Sequence, residues 1–180
     1  MTDMPRHYLG IDPSLSRTGL ALLTVHDDKA GMSLQVADIS PPNGIRGAAR
    51  LVSLESQLQA AISDMLKPYS DPVVQACVEG YSYGSVGTLA QLGEWGGLIR
   101  RVLYLRGIRF ATVPPSTLKK HTTGRGDAKK PDMRRPIDLR LAAEWASLPP
   151  DASDDVVDAV ALALILRDGS EKLEWDAVKR

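Results

Sequence analysis

Apolar positions along this chain alternate between two spacings, one typical of strands and one typical of helices. Short apolar runs bounded by turn residues predict five strands, at residues 8–12, 18–25, 32–39, 73–78 and 108–113. Longer stretches with apolar residues three and four apart predict four long helices, at residues 48–66, 85–105, 132–146 (or from 134) and 153–166. This order indicates an α/β layered domain with a mixed sheet.

The stretch after the fifth predicted strand has a different pattern. Pro114 and Pro115 interrupt regular structure, and Ser116 is expected to cap a short helix. Residues 121–131 contain two glycines and a proline among basic side chains, so we expect a mobile basic loop there. The chain is polar beyond Asp168. We therefore expect one domain over residues 1–168 and a polar C-terminal tail over residues 169–180.

Charge is balanced over the whole chain and unbalanced along it. The 180 residues include 22 basic and 22 acidic ones, a formal net charge of +0 that excludes a uniformly basic nucleic-acid coat. Residues 100–140, however, contain twelve Lys or Arg against three Asp. This segment is either a patch that attracts polyanions or a solvated helix face with a flexible loop.

Cysteine content and hydropathy limit the compartment. Cys77 is the single cysteine, which excludes an intramolecular disulfide and a thiolate zinc site. The first residues lack an apolar signal core, and no apolar run approaches the ~20 residues that span a bilayer. We expect a protein of the cytoplasm, or of the host cytoplasm if a virus encodes it, with no membrane partner.

Two carboxylates follow predicted strands. Asp12 closes the first strand, directly before Pro13 and Ser14, and Glu79 closes the fourth. An Asx turn would explain Asp12 alone, and an ordinary strand edge would explain Glu79. Because both strands end in an acid, the sequence also allows the two carboxylates to form one site.

A third acidic group opens the last predicted helix, in the sequence SDDVVD at residues 153–158. Ser153 suits the N-cap, and Asp154 and Asp155 suit the first turn beside the helix dipole. Asp158 needs another reason, because an apolar stretch follows it and a buried carboxylate requires a cation or a metal. The i, i+3 spacing places Asp155 and Asp158 on one helix face, where both could point at the strand ends.

Such a group of oxygen ligands favours Mg²⁺ or Mn²⁺ over zinc. The three histidines, His7, His26 and His121, lie in unrelated contexts without metal-ligand spacing. Two such ions would activate a water and stabilise the leaving oxygen in phosphodiester cleavage.

Taken in order, these residues resemble the RuvC family of Holliday-junction resolvases, within the RNase H-like, integrase-type nuclease superfamily. The resemblance runs from about Tyr8 to Leu166 and rests on LGIDP at 9–13, TG at 18–19, VE at 78–79, LAQLG at 89–93 and DVVDA at 155–159. It implies an α/β, RNase H-like five-stranded mixed sheet with helices on both faces. It also implies that two Mg²⁺ or Mn²⁺ ions per site are bound by four catalytic carboxylates, Asp12, Glu79, Asp155 and Asp158.

The chain departs from the family in a few positions. Ser14 stands where the family usually has glycine, and Asp154 competes with Asp155, although the family's spacing favours Asp155. A junction-wedging aromatic follows the strand-end glutamate in the family. Here Tyr81 and Tyr83 flank that position, and loop packing is the alternative for both.

The resemblance also implies cationic contacts to DNA. Lysines before the penultimate helix contact the backbone near the scissile phosphate in the family, which points to Lys129 or Lys130 as the catalytic lysine. Further phosphate contacts are expected from Lys119, Lys120, Arg125 and Arg134.

The implied function is a metal-dependent endonuclease that resolves four-way DNA junctions by paired symmetric nicks, leaving 5′-phosphate ends, in recombination, repair or phage DNA processing. A two-fold symmetric substrate favours a C2 homodimer, and Trp95 resembles a residue of the family's dimer interface, with a core tryptophan as the alternative. Two other classes stay open: a non-catalytic binder of branched DNA, and a phosphate-handling enzyme of the actin and sugar-kinase type.

Overall fold

The computed structural model describes residues 6–26, 31–70, 72–81, 88–143, 146–169 and 173–176. The strands are β1 (Arg6–Asp12), β2 (Thr18–Val25), β3 (Met32–Ile39), β4 (Val74–Glu79), β5 (Arg109–Val113) and β6 (Glu174–Trp175). The helices are α1 (Gly47–Leu66), α2 (Leu89–Leu105), α3 (Pro115–Thr123), α4 (Lys130–Ala142) and α5 (Asp154–Arg167). In these ranges no helix is long and apolar enough to cross a membrane.

The strands form one mixed sheet in the order β3-β2-β1-β4-β5-β6. β1, β2 and β3 are joined antiparallel, whereas β1 pairs in parallel with β4 and β4 with β5. The five predicted strands and the mixed sheet are confirmed. The two-residue β6 adds an antiparallel edge to β5, and it comes from the stretch expected to be a polar tail. Its Trp175 ring lies 4.2 Å below the Arg109 guanidinium, a cation–π contact that a polarity pattern does not reveal.

Helices cover both faces of the sheet, as predicted. On one face, α1 and α2 pack on side chains such as Leu9, Ile11 and Leu22. On the other face, α5 packs on the sheet, and α3 and α4 cover α5 in turn. Ten of the fourteen α5 residues are buried, which explains why the apolar stretch after Asp158 has no polar face.

The basic stretch before α5 is more helical than its sequence predicts. Ser116 does not cap α3: Pro114 occupies the N-cap position and Pro115 the first turn, where a missing N–H costs nothing. The helix then continues to Thr123, so the first three residues of the predicted loop are helical. It ends at Gly124, whose φ of 82° is the left-handed conformation that glycine adopts freely.

α4 begins at Lys130, two residues before the earlier of its two predicted starts, and ends at Ala142. Its first turn is stabilised by Asp132, whose carboxylate accepts the Lys129 backbone N–H at 3.0 Å. The non-helical part of the basic stretch is therefore short, residues 124–129. The predicted start of α2 at residues 85–87 lies outside the described residues, and α2 is helical from Leu89.

Two glycines allow α5 to lie against the hairpin of β1 and β2. A Cβ added to Gly10 would collide with the backbone oxygen of Ala159, and one added to Gly19 would collide with the backbone oxygen of Asp155. Both obstacles are helix backbone, which cannot move aside as a side chain can. The helix therefore crosses the hairpin at a separation that only glycine permits.

We expect Gly10→Ala to lower the free energy of unfolding by about 3 kcal/mol, because the added methyl group would force β1 and α5 apart. Urea denaturation followed by circular dichroism measures this change. The control is Gly97→Ala at an exposed position of α2, where a Cβ meets nothing within 4 Å. That variant should be more stable by up to about 1 kcal/mol, since alanine is the better helix former. Equal stability of the two variants would contradict the proposed close approach.

Candidate active site

The sheet topology brings the two strand-end carboxylates together. Ile11 in β1 pairs with Val78 in parallel β4, so the next residues, Asp12 and Glu79, lie side by side at the carboxyl edge of the sheet. Asp12 is only 6% exposed. Its carboxyl group and that of Glu79 share a hydrogen bond. Neither an Asx turn alone nor an ordinary strand edge accounts for this contact.

The first turns of α5 bring two more carboxylates to the same edge. Ser153 caps the helix, with its hydroxyl oxygen accepting the Val156 N–H at 3.3 Å. Asp155 and Asp158 follow on one face, and the charges of both act on Asp12. The structure thus brings together all four predicted carboxylates.

Exposure separates the two neighbouring aspartates at the start of α5. The Asp154 side chain is 65% exposed, whereas that of Asp155 is 21% exposed. Asp155 is therefore the member of the pair that belongs to the carboxylate group, and Asp154 lies at its rim.

The crowded carboxyl groups hold protons more tightly than free ones. Burial is the largest cause of a pKa well above the usual range at Asp12, and the charges of Glu79, Asp158 and Asp155 add to it. Burial also raises the pKa of Glu79 to about 7, although the hydrogen bond from Asp12 favours its ionised form. The pKa of Asp158 is raised to about 6 by burial against the attraction of Lys130. In the metal-free protein these carboxyl groups are therefore protonated more readily than free ones.

Lys130 is the cation closest to this group. Its Nζ lies 3.5 Å from Asp155 Oδ1 and 3.9 Å from Asp154 Oδ2. Partial burial favours the neutral amine, but the charges of Asp155, Asp158 and Asp154 outweigh it and raise the pKa of Lys130. Lys119 of α3 lies close enough to influence both Glu79 and Asp158. Lys129 is exposed and makes no described contact with these acids through its side chain, so of the two candidate lysines Lys130 is the one at the site.

The remaining predicted cations lie away from the carboxylates. Lys120 is exposed on α3, and Arg125 is exposed and ion-paired with Asp127 at 3.2 Å. Arg134 of α4 donates to the backbone oxygens of Pro149 at 2.7 Å and Ala152 at 3.4 Å. Those bonds give Arg134 a structural role, since they tie α4 to the segment that leads into α5.

Of the two candidate wedge residues, Tyr81 and Tyr83, the structure describes Tyr81. Tyr83 lies outside the described residues. The Tyr81 ring packs on Gly96 of α2, its hydroxyl donates to the Gly93 carbonyl at 3.5 Å, and the Arg100 guanidinium lies 5.6 Å from its centre. These contacts favour loop packing for Tyr81.

A buried hydrogen-bond network behind Asp12 was not predicted from the sequence. Trp95 is fully buried, as in the core alternative, and its indole N–H donates to Thr18 Oγ1 at 2.9 Å. The Thr18 hydroxyl donates to the Ser14 carbonyl at 2.9 Å and accepts the Ser14 N–H at 3.2 Å. The network fixes the turn that follows Asp12. The Thr18-Gly19 pair was the only sequence signal for it.

The donor set fits a hard divalent cation, because it consists of carboxylate oxygens on a partly buried edge. Within the described ranges, no three His, Cys, Asp or Glu side chains are already arranged around one point as metal ligands would be. Binding of a cation would release the proton shared by Asp12 and Glu79.

Comparison with known proteins gives one consistent family. The family model described as "Crossover junction endodeoxyribonuclease RuvC" matches residues 8–165. A protein of that name from Corynebacterium jeikeium is 30% identical over 156 residues, which is 87% of this chain and 90% of that protein. Its namesake from Mycobacterium tuberculosis is 30% identical over 159 residues, covering 87% of this chain and 78% of the relative.

Solved structures agree on the fold. The chain is similar to Thermus thermophilus RuvC in complex with a Holliday junction substrate, with a TM-score of 0.71 and 19% identity, over 96% of this chain and all of that one. It also resembles a yeast mitochondrial Holliday junction resolvase, with a TM-score of 0.54 and 12% identity over 87% of this chain and 75% of that one. The RNase H-like layered fold expected from the sequence is thus confirmed.

The raised pKa values predict how stability depends on pH in the metal-free protein. A buried carboxyl whose folded pKa exceeds its unfolded pKa binds more protons when folded, so stability falls as pH rises between the two values. For Glu79 that window runs from about 4.5 to about 7. We expect Glu79→Gln to gain stability relative to the wild type as pH rises through this window. Urea denaturation in chelator from pH 4 to pH 8 tests it, and a difference that does not change with pH would exclude the coupled carboxyls.

Proposed function

This chain belongs to the RuvC family of crossover junction endodeoxyribonucleases, and we propose that it resolves four-way DNA junctions by paired symmetric nicks. The observation that carries the proposal is the convergence of four carboxylates and a lysine at one edge of the sheet. Carboxylates facing a phosphate would repel it unless a cation neutralises them, so a binding site for DNA alone would have no use for this group. The arrangement therefore supports hydrolysis over simple binding.

Family membership implies dependence on a divalent metal. We propose Mg²⁺ or Mn²⁺, two ions per site, held by Asp12, Glu79, Asp155 and Asp158. Bound there, the ions would supply a water nucleophile and charge stabilisation for the leaving oxygen. Asp12 closes β1 and is the most buried of the four, so it would hold a cation at the deepest point of the site.

The side chains around the carboxylates would position the DNA strand. Lys130 is half exposed beside Asp155, so it can turn from the carboxylate to a phosphate oxygen without leaving the site. There its charge would stabilise the transition state, and Lys119 would support it from α3. Lys120 and Arg125 are exposed and free to meet more distant phosphates once Arg125 exchanges Asp127 for DNA.

A junction has two-fold symmetry, and its resolution needs two matched cuts, so we propose a C2 homodimer with one site in each protomer. Attack of water on the scissile phosphorus, with cleavage of the P–O3′ bond and departure of the 3′ oxygen, would leave 5′-phosphate and 3′-hydroxyl ends. The setting we propose is cytoplasmic DNA recombination, repair or phage DNA processing.

The activity is tested with an end-labelled synthetic four-way junction and a linear duplex of equal length, each with Mg²⁺, with Mn²⁺ and with chelator. We expect symmetric nicks in the junction alone, and only with metal, on denaturing gels. Binding of the junction on native gels without nicks in either metal would instead assign the chain to the non-catalytic binders.

Asp155→Asn should lower the rate of junction cleavage by roughly 100-fold or more, because a lost metal ligand removes several kcal/mol of transition-state stabilisation. Asp154→Asn is the matched control, since it makes the same change one residue away on an exposed side chain. It should cut at close to the wild-type rate. Single-turnover rates with saturating protein measure both variants, and the reverse order of the two would identify Asp154 as the ligand.

Lys130→Gln should slow cleavage by about 100-fold with little loss of junction affinity, since the lysine stabilises charge that develops during the reaction. Lys129→Gln removes the same charge from the adjacent exposed residue and should reduce the rate only slightly. The comparison uses single-turnover rates together with binding measured in chelator. Similar losses in both variants would mean that the two lysines act only through their general positive charge.

A further inference from the structure

A pocket opens beside the turn that follows Asp12. It has a volume of about 410 Å³ and lies between that turn, the first turn of α1 and the start of α2. Five polar residues line it: Ser14, Ser16, Arg50, Thr88 and Gln91. Leu15 and Leu92 add apolar surface. None of the described residues that line it is a carboxylate. The pocket is thus cationic, although it lies beside the edge that holds the four carboxylates.

Arg50 is the charged group of this pocket, and its hydrogen bonding is incomplete. Its Nη2 donates to Gln91 Oε1 at 3.0 Å, which orients the guanidinium. Its Nε is buried and has no hydrogen-bond partner among the described residues, and Arg50 makes no ion pair with a described carboxylate. A buried donor without an acceptor is unfavourable, so the guanidinium has hydrogen-bonding capacity that no described residue uses.

The opposite wall is the hydroxyl-bearing turn. Ser14 Oγ accepts the backbone N–H groups of Ser16 and Arg17, each at 3.4 Å, and lies 3.1 Å from Ser16 Oγ. Ser14 is also the position at which this chain departs from the glycine usual in the family. It follows Asp12 by two residues, so the two Cα atoms are at most about 7 Å apart. A strand whose scissile phosphate meets the carboxylates would therefore pass this wall.

We propose that the pocket binds a backbone phosphate of the cleaved strand, next to the scissile phosphate, with Arg50 as its cation. This inference rests on the proposed nuclease function and adds a subsite to it. The fork of guanidinium N–H groups matches phosphate oxygens, and the serine hydroxyls add neutral donors. Because the pocket lacks carboxylates, it binds the anion without a metal. Holding the flanking phosphate fixes the position of the scissile one relative to Asp12.

The salt dependence of junction binding tests the contact directly. Each neutralised phosphate contributes about 0.9 to the slope of log K against log salt for duplex DNA. In chelator, Arg50→Gln should reduce the slope by about 0.9 and weaken binding about tenfold. Lys67→Gln is the control: it removes one charge from the far end of α1, about 25 Å away, and should change neither quantity. An unchanged slope in Arg50→Gln would overturn the proposal.

A second experiment locates the phosphate. Junctions are prepared with a single neutral methylphosphonate at each of the three phosphates on either side of the cut. At one of these positions the substitution should weaken wild-type binding about tenfold and have no further effect on Arg50→Gln. Such a non-additive pair identifies the contact, and a purely structural role of Arg50 would give additive losses at every position.

The two experiments also separate this inference from the nuclease proposal. If the wild type binds and nicks junctions but every methylphosphonate effect is additive with Arg50→Gln, the pocket is not a phosphate subsite. If the wild type neither binds nor nicks junctions, the nuclease function itself is wrong. Thermal unfolding of Arg50→Gln verifies that the fold survives loss of the hydrogen bond to Gln91. Arg50→Lys keeps the charge but not the forked guanidinium, and it should recover most of the salt slope.

Discussion

The approach of α5 to the β1–β2 hairpin is the constraint on which the rest of the molecule depends. Gly10 and Gly19 remove the two Cβ atoms that would hold the helix away, and the backbone of α5 occupies that space. This places the first turns of α5, with Asp155 and Asp158, over the ends of β1 and β4. The same contact buries the apolar body of α5 against the sheet. The same contact therefore packs the core and assembles the site. A change that moves α5 away from the hairpin would disturb both.

That packing holds together groups that repel one another. Four carboxyl groups share one edge, and the raised pKa values of Asp12, Glu79 and Asp158 reflect the cost of ionising them there. Two interactions reduce the cost of ionising these groups in the metal-free protein. One is the hydrogen bond between Asp12 and Glu79, and the other is the positive charge of Lys130. A bound cation would replace both, because its positive charge takes the place of the proton and of the lysine.

Much of the fold and of the candidate site could be predicted from the sequence, because the local pattern of residues agrees with how the elements pack. β1 and β2 are continuous apolar runs because helices cover both faces of the sheet there, and the helical spacing of α1 follows from burial on one face. The strand-end acids lie together because β1 and β4 pair in parallel. Other features depend on contacts that no local pattern shows. Both Asp154 and Asp155 suit a helix start. The family's spacing favours Asp155, and the rotation of α5 against the sheet agrees by leaving Asp154 the more exposed of the two. The length of α3, the edge strand β6 and the burial of Trp95 are likewise set by tertiary neighbours.

The turn between β1 and β2 connects the core, the carboxylate site and the cationic pocket. It begins at Asp12, carries the serine hydroxyls of the cationic pocket, and is fixed from behind by Thr18 and Trp95. Trp95 belongs to α2 and is fully buried. The packing of α2 in the core therefore fixes the position of this turn. A rigid turn with acids on one side and Arg50 on the other presents opposite charges at a fixed spacing. Once a cation has neutralised the acids, both sides of the turn would attract phosphates of one DNA strand.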